Sequence, residues 1–241
     1  MMREVVRRDL SHGDRLASEP VLMGYFGVSR GSLREALRVL SFLGAIDVRT
    51  GPGGGPRIAR PESTVVASAL AIGLQFRHAS HRTLLEARAV IEPAVAEMAA
   101  TAGKDDQLAA MEACVRRLYG AVGTAGFRAE HRMFHQLLGS ASGNEALALV
   151  VSAFAWISAT AEHGWERPLQ RRVAKQARST LDSLRARDGG AAGASVAAMF
   201  RAALDGGSRP AALSGRIVWA DVDELIETTP DPQPKGGNEW T

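Results

Sequence analysis

The stretch GDRLASEPVLMGYFGVSRGSLREALRVLSFLGAIDVRTGPGGGPRIARP, residues 13–61, decides how the chain is read. Ser18 stands as an N-cap ahead of Glu19 and Pro20, with Val21, Leu22 and Phe26 as apolar contacts before Gly27 interrupts, which predicts a short helix over 18–26. Ser29 is a second N-cap candidate. Behind it Leu33, Leu37, Leu40 and Leu43 share one helical face, and Arg30, Arg34 and Arg38 at i, i+4, i+8 share another. Two short helices joined by a glycine turn make a helix-turn-helix. Gly44 ends the second helix, Ile46 to Arg49 alternates as a strand does, and GPGGGP at 51–56 forms a tight turn before Arg57, Ile58 and Ala59 return. That hairpin is a wing, and Pro61 closes the segment.

Charge separates this head from the rest. Residues 1–61 carry ten Arg and no Lys against six acidic residues, a net of +4, whereas the remainder carries 19 basic and 20 acidic residues. A basic head on a near-neutral body points to a polyanion partner for the head alone. Arginine's planar fork suits phosphate and guanine edges. On the second helix Ser29, Arg30, Ser32, Arg34 and Arg38 occupy the N-terminal half and one edge, where the helix dipole also favours phosphate. An isolated stripe of this kind is more often a solvated face. Here a glycine-rich wing follows, with Gly51 and Gly53 able to let a sugar-phosphate backbone approach and Arg57 at its end. A nucleotide-cradling loop is the weaker reading, because GPGGGP leads into a strand rather than a helix.

Beyond Pro61 the pattern is helical, over about 63–76, 80–102, 105–122, 126–140, 144–162, 168–187 and 191–205, with turn-rich separators such as HASH, AGKDD and RDGG. Leu84, Ala87, Ile91, Ala94, Val95 and Met98 form one apolar stripe, and Leu108, Met111, Val115 and Leu118 form the next. The expected fold is mostly α: a winged helix-turn-helix over 1–61, a linker and connecting helix over 62–79, an all-α bundle over 80–206, and a partly disordered tail over 207–241 rich in Pro and Gly. The chain has 241 residues, 46% of them apolar and 5% aromatic, enough for a substantial core of closely packed helices. No run reaches the ~18 apolar residues of a membrane span, and MMREVVRRDLSHGD lacks the core of a signal peptide, so a cytoplasmic protein without a membrane partner is expected. The single Cys114 excludes an internal disulfide and every zinc site with two thiolates, and reads as a packed small residue.

The quoted head resembles the winged helix of the GntR regulators through Gly-Asp, Leu, Ser-Glu, Gly-Val-Ser-Arg, Leu-Arg-Glu-Ala-Leu and the glycine-rich wing. Downstream, LLEARAVIEPAVAEMAA and HRMFHQLLGSASGN are similar to the ligand-binding helical bundle of the FadR-type (FCD) branch, so the resemblance covers most of residues 9–205. It implies that Ser29, Arg30, Ser32 and Arg34 stand at operator-contacting positions and that Gly51 lies near a wing tip that enters the minor groove. Pro20 stands where the family often has Arg, and residues 1–9 replace a longer leading segment.

His131 and His135, four apart, present both imidazoles on one helix face as adjacent metal ligands would, yet two histidines cannot hold a metal alone. Many relatives complete the site with an Asp and two further His. By the resemblance His131 replaces the Asp, only His135 matches, and Ala177 and Ala202 stand at the other two positions, with His163 as the last histidine of the chain. No cofactor is expected; a divalent metal stays open with an incomplete ligand set. Arg88 and Glu92 read either as an exposed i, i+4 ion pair or as pocket groups. The resemblance points Arg88 into an effector cavity, where it and His135 would grip a carboxylate, with the alanines leaving that cavity enlarged. Asn144 reads equally as an effector contact or an N-cap, and Trp156 and Trp165 as core. The expected protein is therefore a transcriptional regulator, with repression the expected sign, that binds an inverted-repeat DNA operator as a homodimer and senses an organic or fatty acid derivative. The effector-site residues are Arg88, His131, His135 and Asn144. A metal- or histidine-dependent enzyme is the alternative from another class, without any nucleophile paired to an oriented base. An effector-independent DNA-bound dimer is the third.

Overall fold

The computed structural model describes residues 1–49, 51, 54–159, 165–207 and 213–217. The chain divides into two compact units, Met1–Val65 and Val66–Thr241.

In the first unit α1 (Met2–Arg7), which the sequence pattern did not announce, precedes α2 (Glu19–Phe26), α3 (Arg30–Phe42), β1 (Ile46–Arg49) and β2 (Gly55–Ile58). Pro20 sits in the first turn of α2, where a missing amide costs nothing. Gly27 ends the helix at φ 61°, a left-handed cap that returns its N–H to the Met23 carbonyl and redirects the chain into α3. Ser29 then caps α3, its hydroxyl accepting from the Ser32 amide at 3.2 Å. Leu22, Leu33, Leu37 and Ile46 are the buried centre of this unit, with Leu16, Phe26 and Leu40 packed around them. Two expected core contacts lie outside it: Val21 is on the open side of α2, and Leu43, which follows the last residue of α3, has left the apolar face. β1 and β2 pair antiparallel, Ile46 opposite Ile58 and Arg49 opposite Gly55. Residues 13–16 line the other edge of β2 through Gly13 N to Ile58 O, Ile58 N to Asp14 O and Leu16 N to Pro56 O, at 2.8, 2.8 and 2.9 Å. β2 is thus paired on both edges, by β1 and by residues 13–16, a pairing that no alternation in residues 13–16 signals.

The seven expected helices from 63 onward all form: α4 (Ser63–Phe76), α5 (His81–Ala102), α6 (Asp105–Gly120), α7 (Phe127–Ala141), α8 (Glu145–Ala159), α9 (Arg167–Arg185) and α10 (Gly189–Ala202), followed by a π turn at Ala203–Gly207. In the second unit α5 packs chiefly on α10, α10 on α9, and α7 on α8 and α6. Small residues set these distances. At Gly139 a Cβ would lie 3.1 Å from the Ala148 Cα, so α7 and α8 cross almost backbone to backbone. The α6 stripe is buried throughout. The α5 stripe is rotated from its expected phase: Ala94 and Met98 face outward, and the buried line runs Leu84, Arg88, Glu92, Val95, Ala96, Ala99. Polar Arg88 and Glu92 are therefore inside, and the solvated-pair reading of them is corrected. Residues expected to begin a loose tail instead pack: Ile217 is fully buried with Ala67, Leu84, Ala153 and Ile157, its amide donating to the Ala79 carbonyl at 3.0 Å. The PDPQPKGGNEW segment lies outside the described residues.

Candidate functional site

In the first unit, α3 carries the candidate contacts. Ser29, Arg30, Ser32, Arg34 and Arg38 are all exposed, outside the buried line of Leu33 and Leu37 on α3. Glu19 from α2 reaches across to Arg30 and Arg34 at 3.5 and 3.4 Å, contacts long enough to orient two guanidinium groups without closing them. Arg38 leans on Glu35 at 3.6 Å. Gly51 is exposed at φ 91°, a conformation glycine adopts without strain; Gly53 lies outside the described residues. Arg57 departs from its expected role. Half-buried on β2, it donates from Nη1 to the Gly13 carbonyl at 2.9 Å and has a buried Nε without a partner, so it ties the wing to residue 13 rather than standing at its end. Arg15 holds the turn from the same side, donating to the Gly54 carbonyl at 2.8 Å.

In the second unit, one buried chain of polar groups links α5 to α7. Arg88 Nε donates to Glu92 Oε1 at 2.6 Å, Glu92 Oε2 meets His135 Nδ1 in a short hydrogen bond, and His135 Nε2 lies 3.0 Å from His131 Nε2. Arg88, Glu92 and His135 are essentially inaccessible; His131 retains a sliver of exposure. Burial alone would push the Glu92 carboxyl up, but Arg88 and the hydrogen bonds from Arg88 and His135 outweigh it and hold it below the usual carboxylate range. Burial drives both imidazoles the other way, toward neutrality: His135 less strongly, because Glu92 opposes the shift, and His131 well below its usual value. Protons then have one consistent arrangement. His135 donates Nδ1–H to the carboxylate and accepts at Nε2 from His131 Nε2–H. Arg88 also lies over the Phe200 ring at 5.1 Å, and its buried Nη2 has no partner.

The expected grip of Arg88 and His135 on an incoming carboxylate is thus already made, by the chain's own Glu92. Around that position Ala177 is fully buried in the packed core, Ala202 is packed against it, and Phe200 stands 5.7 Å from His135. The donors at this point are the two imidazole Nε2 atoms, 3.0 Å apart, and the Glu92 carboxylate; Ala177 and Ala202 supply none. Among the described residues no three His, Cys, Asp or Glu side chains gather as ligands; His163 lies outside them. Asn144 is elsewhere. It caps α8, its Oδ1 accepting from the Ala146 and Leu147 amides, both at 3.1 Å. Cys114 is buried against the Glu130 carbonyl, its thiol pushed up to about 12 by desolvation and the nearby carboxylate.

His131 opens onto a pocket between α7 and α8 that the sequence did not disclose. A shallow space of about 10 Å³, room for one water, lies among Arg128, Arg132, Ala155, Ser158 and Trp165. Arg132 is half-buried with its guanidinium 3.7 Å from the Trp156 ring centroid, and Trp165 packs on His131 at 4.7 Å. The available signal was Arg128 and Arg132 one turn apart, interleaved with the histidines, and Ser158 in a largely apolar helix.

Known proteins place this architecture. The FCD domain family matches residues 83–202, the span of α5 to α10. The regulator LutR of Bacillus subtilis is 30% identical over 141 residues, 58% of this chain and 63% of its own length; the repressor NanR of Cronobacter sakazakii is 29% identical over 64% of this chain and 60% of its own. The chain belongs to the FCD branch of the GntR family. Its matches span about three fifths of the length of these curated GntR relatives, which are transcriptional regulators. A Streptococcus agalactiae GntR structure superposes with a TM-score of 0.66 at 23% identity, covering 83% of this chain and 93% of that one, and so shares the fold. Among the described residues no helix is long and apolar enough to cross a membrane.

Proposed function

We propose that this GntR-family chain is a transcriptional regulator that reads an inverted-repeat DNA operator with α3 and the wing, as a homodimer, and responds to a small organic acid bound in the helical domain. The observation that carries the DNA reading is the exposed row Arg30, Arg34 and Arg38 beside Ser32, with Glu19 orienting two of the three. These side chains can donate bidentate hydrogen bonds in a major groove, and a two-fold operator requires two copies of α3 about one helical turn apart. Dimerisation is supported by α5, whose exposed Val90, Ala94 and Met98 form an apolar line that a second copy would remove from water. The reading takes the domain to work without metal, supported by the incomplete ligand set around His131 and His135, with alanine at 177 and 202.

Selection of duplexes from a random pool by the full chain tests this reading. Recovery of an inverted repeat, bound with an affinity that falls steeply with salt, is the expected result; no enrichment of any sequence overturns it. Light scattering of the full chain at micromolar concentration checks the dimer. Elemental analysis of protein purified without chelator checks the metal, with stoichiometric zinc, nickel or manganese the contrary result.

A further inference from the structure

One carboxylate oxygen stands behind two of the α3 arginines. Glu19 Oε2 lies 3.5 Å from Arg30 Nε and 3.4 Å from Arg34 Nε. It is carried by the first residue of α2, with uncharged Pro20 beside it, and its side chain is only 32% exposed. Both contacts fall on the Nε side of a guanidinium and leave the Nη1/Nη2 edge of each fork to solvent. Arg38 is held differently: Glu35, mostly in water, meets it at Nη1, on the fork itself, at 3.6 Å.

Phosphate and guanine ask different things of these forks. A phosphate is recognised by charge, and two guanidinium groups that share a carboxylate present one net positive charge in place of two. A guanine edge has no net charge and is recognised by direction, through two hydrogen bonds from one fork to O6 and N7. A carboxylate behind both forks therefore weakens their hold on any phosphate while it keeps the open edges aimed. Arg30 and Arg34 stand one turn apart at the start of α3, the end of a recognition helix that meets base edges.

We infer that Glu19 is a positioning residue that sets sequence specificity: it keeps the Nε sides of Arg30 and Arg34 when their forks meet guanines, and is displaced, at a small cost, when phosphates of other sequences take them. Selectivity then comes from a penalty on the wrong contact as much as from the right one. This inference rests on the operator reading above and names the group that gives it selectivity.

The full chain first selects its operator. Its affinities for that duplex and for a scrambled duplex of the same length and composition are then measured over roughly 50 to 200 mM salt. Glu19→Gln should bind the scrambled duplex several-fold tighter, with a log–log salt slope steeper by about 1 to 2, and its ratio of specific to non-specific affinity should fall roughly fivefold or more. Glu19→Asp keeps the charge and withdraws it by one methylene, so its ratio should fall roughly threefold or more. Glu35→Gln should strengthen both duplexes alike and leave the ratio within about twofold. Melting temperatures check that each variant is folded. A ratio within about twofold of the unsubstituted chain's in Glu19→Gln overturns the inference, as does an unchanged ratio in Glu19→Asp, which would leave charge alone at work, or an equal fall in Glu35→Gln. Each of these leaves the selected operator standing, whereas selection of no operator removes the DNA reading itself and this inference with it.

Discussion

Arginine does opposite work in the two units. On α3 the side chains of Arg30, Arg34 and Arg38 are 68%, 60% and 83% exposed, and their carboxylate neighbours stand 3.4 to 3.6 Å away. On α5 the Arg88 side chain is 1% exposed and its carboxylate is at 2.6 Å. The first set is held loosely in water, so a polyanion can replace Glu19 and Glu35 at little cost. The second has left water altogether and depends on one partner. Position on the helix, and not residue type, separates a contact surface from an internal strut.

The sharpest way to break this comparison is to remove the partner in each unit. Glu92→Ala leaves Arg88 buried and uncompensated and takes the acceptor from His135, so it should destabilise the second unit by about 3–5 kcal/mol in chemical denaturation. Replacing both ends, Arg88→Met with Glu92→Leu, should recover most of that loss, because two desolvated charges disappear together. Glu19→Ala, in the first unit, should change stability by less than about 1 kcal/mol. Equal losses in the two single variants would erase the distinction.

Acid should discriminate the units next. His131 and His135 are held neutral by burial, with folded values below the ordinary one of about 6.5, so the unfolded chain binds protons that the folded chain refuses. Their contribution is complete above about pH 6.5 and is lost as pH falls from there toward the folded values. Glu92, also held low, adds a loss further into acid, below about pH 4.3. Denaturation midpoints measured from pH 7.5 to 5 should therefore fall for the second unit, and His131→Phe should flatten the curve. A midpoint independent of pH in that window would mean that the imidazoles are not buried neutral.

Arg30→Ala and Arg34→Ala, by contrast, should leave stability within about 0.5 kcal/mol and each cost about 1–3 kcal/mol of affinity for a selected operator. If instead both weaken all duplexes alike, they touch phosphate only. Arg57→Ala should behave as neither class: its hydrogen bond to Gly13 makes it a stability variant with a shift in the denaturation midpoint.

Legibility in the sequence followed the same division. The head could be read because its signals are local: Ser29 caps α3, Gly27 turns the chain, and the apolar and Arg faces of one helix sort themselves by period. The helical domain was legible in its elements but not in its centre. Glu92 reads equally as a surface charge or a pocket group in the sequence, because a single helix cannot say which of its faces another helix will cover. Only the packing of α10 and α7 on α5 shows that the buried line runs through Arg88 and Glu92. Arg132 and Ser158 were missed for the same reason, since they meet across two helices.

The smallest expected effect separates capping from ligand contact. Asn144 accepts from the Ala146 and Leu147 amides at the start of α8, which orients its side chain as an N-cap. The pocket lies near the other end of α8, at Ala155 and Ser158, ~16 Å further on at 1.5 Å per residue. Asn144→Ala should accordingly cost about 1 kcal/mol of stability, as the loss of one N-cap does, while Asn144→Asp keeps the cap and adds a charge that the helix dipole favours. Neither should change affinity for an organic acid that binds the helical domain. A loss of affinity in Asn144→Ala that Asn144→Asp fails to restore, with stability unchanged, would return Asn144 to the ligand and detach the cap from its role.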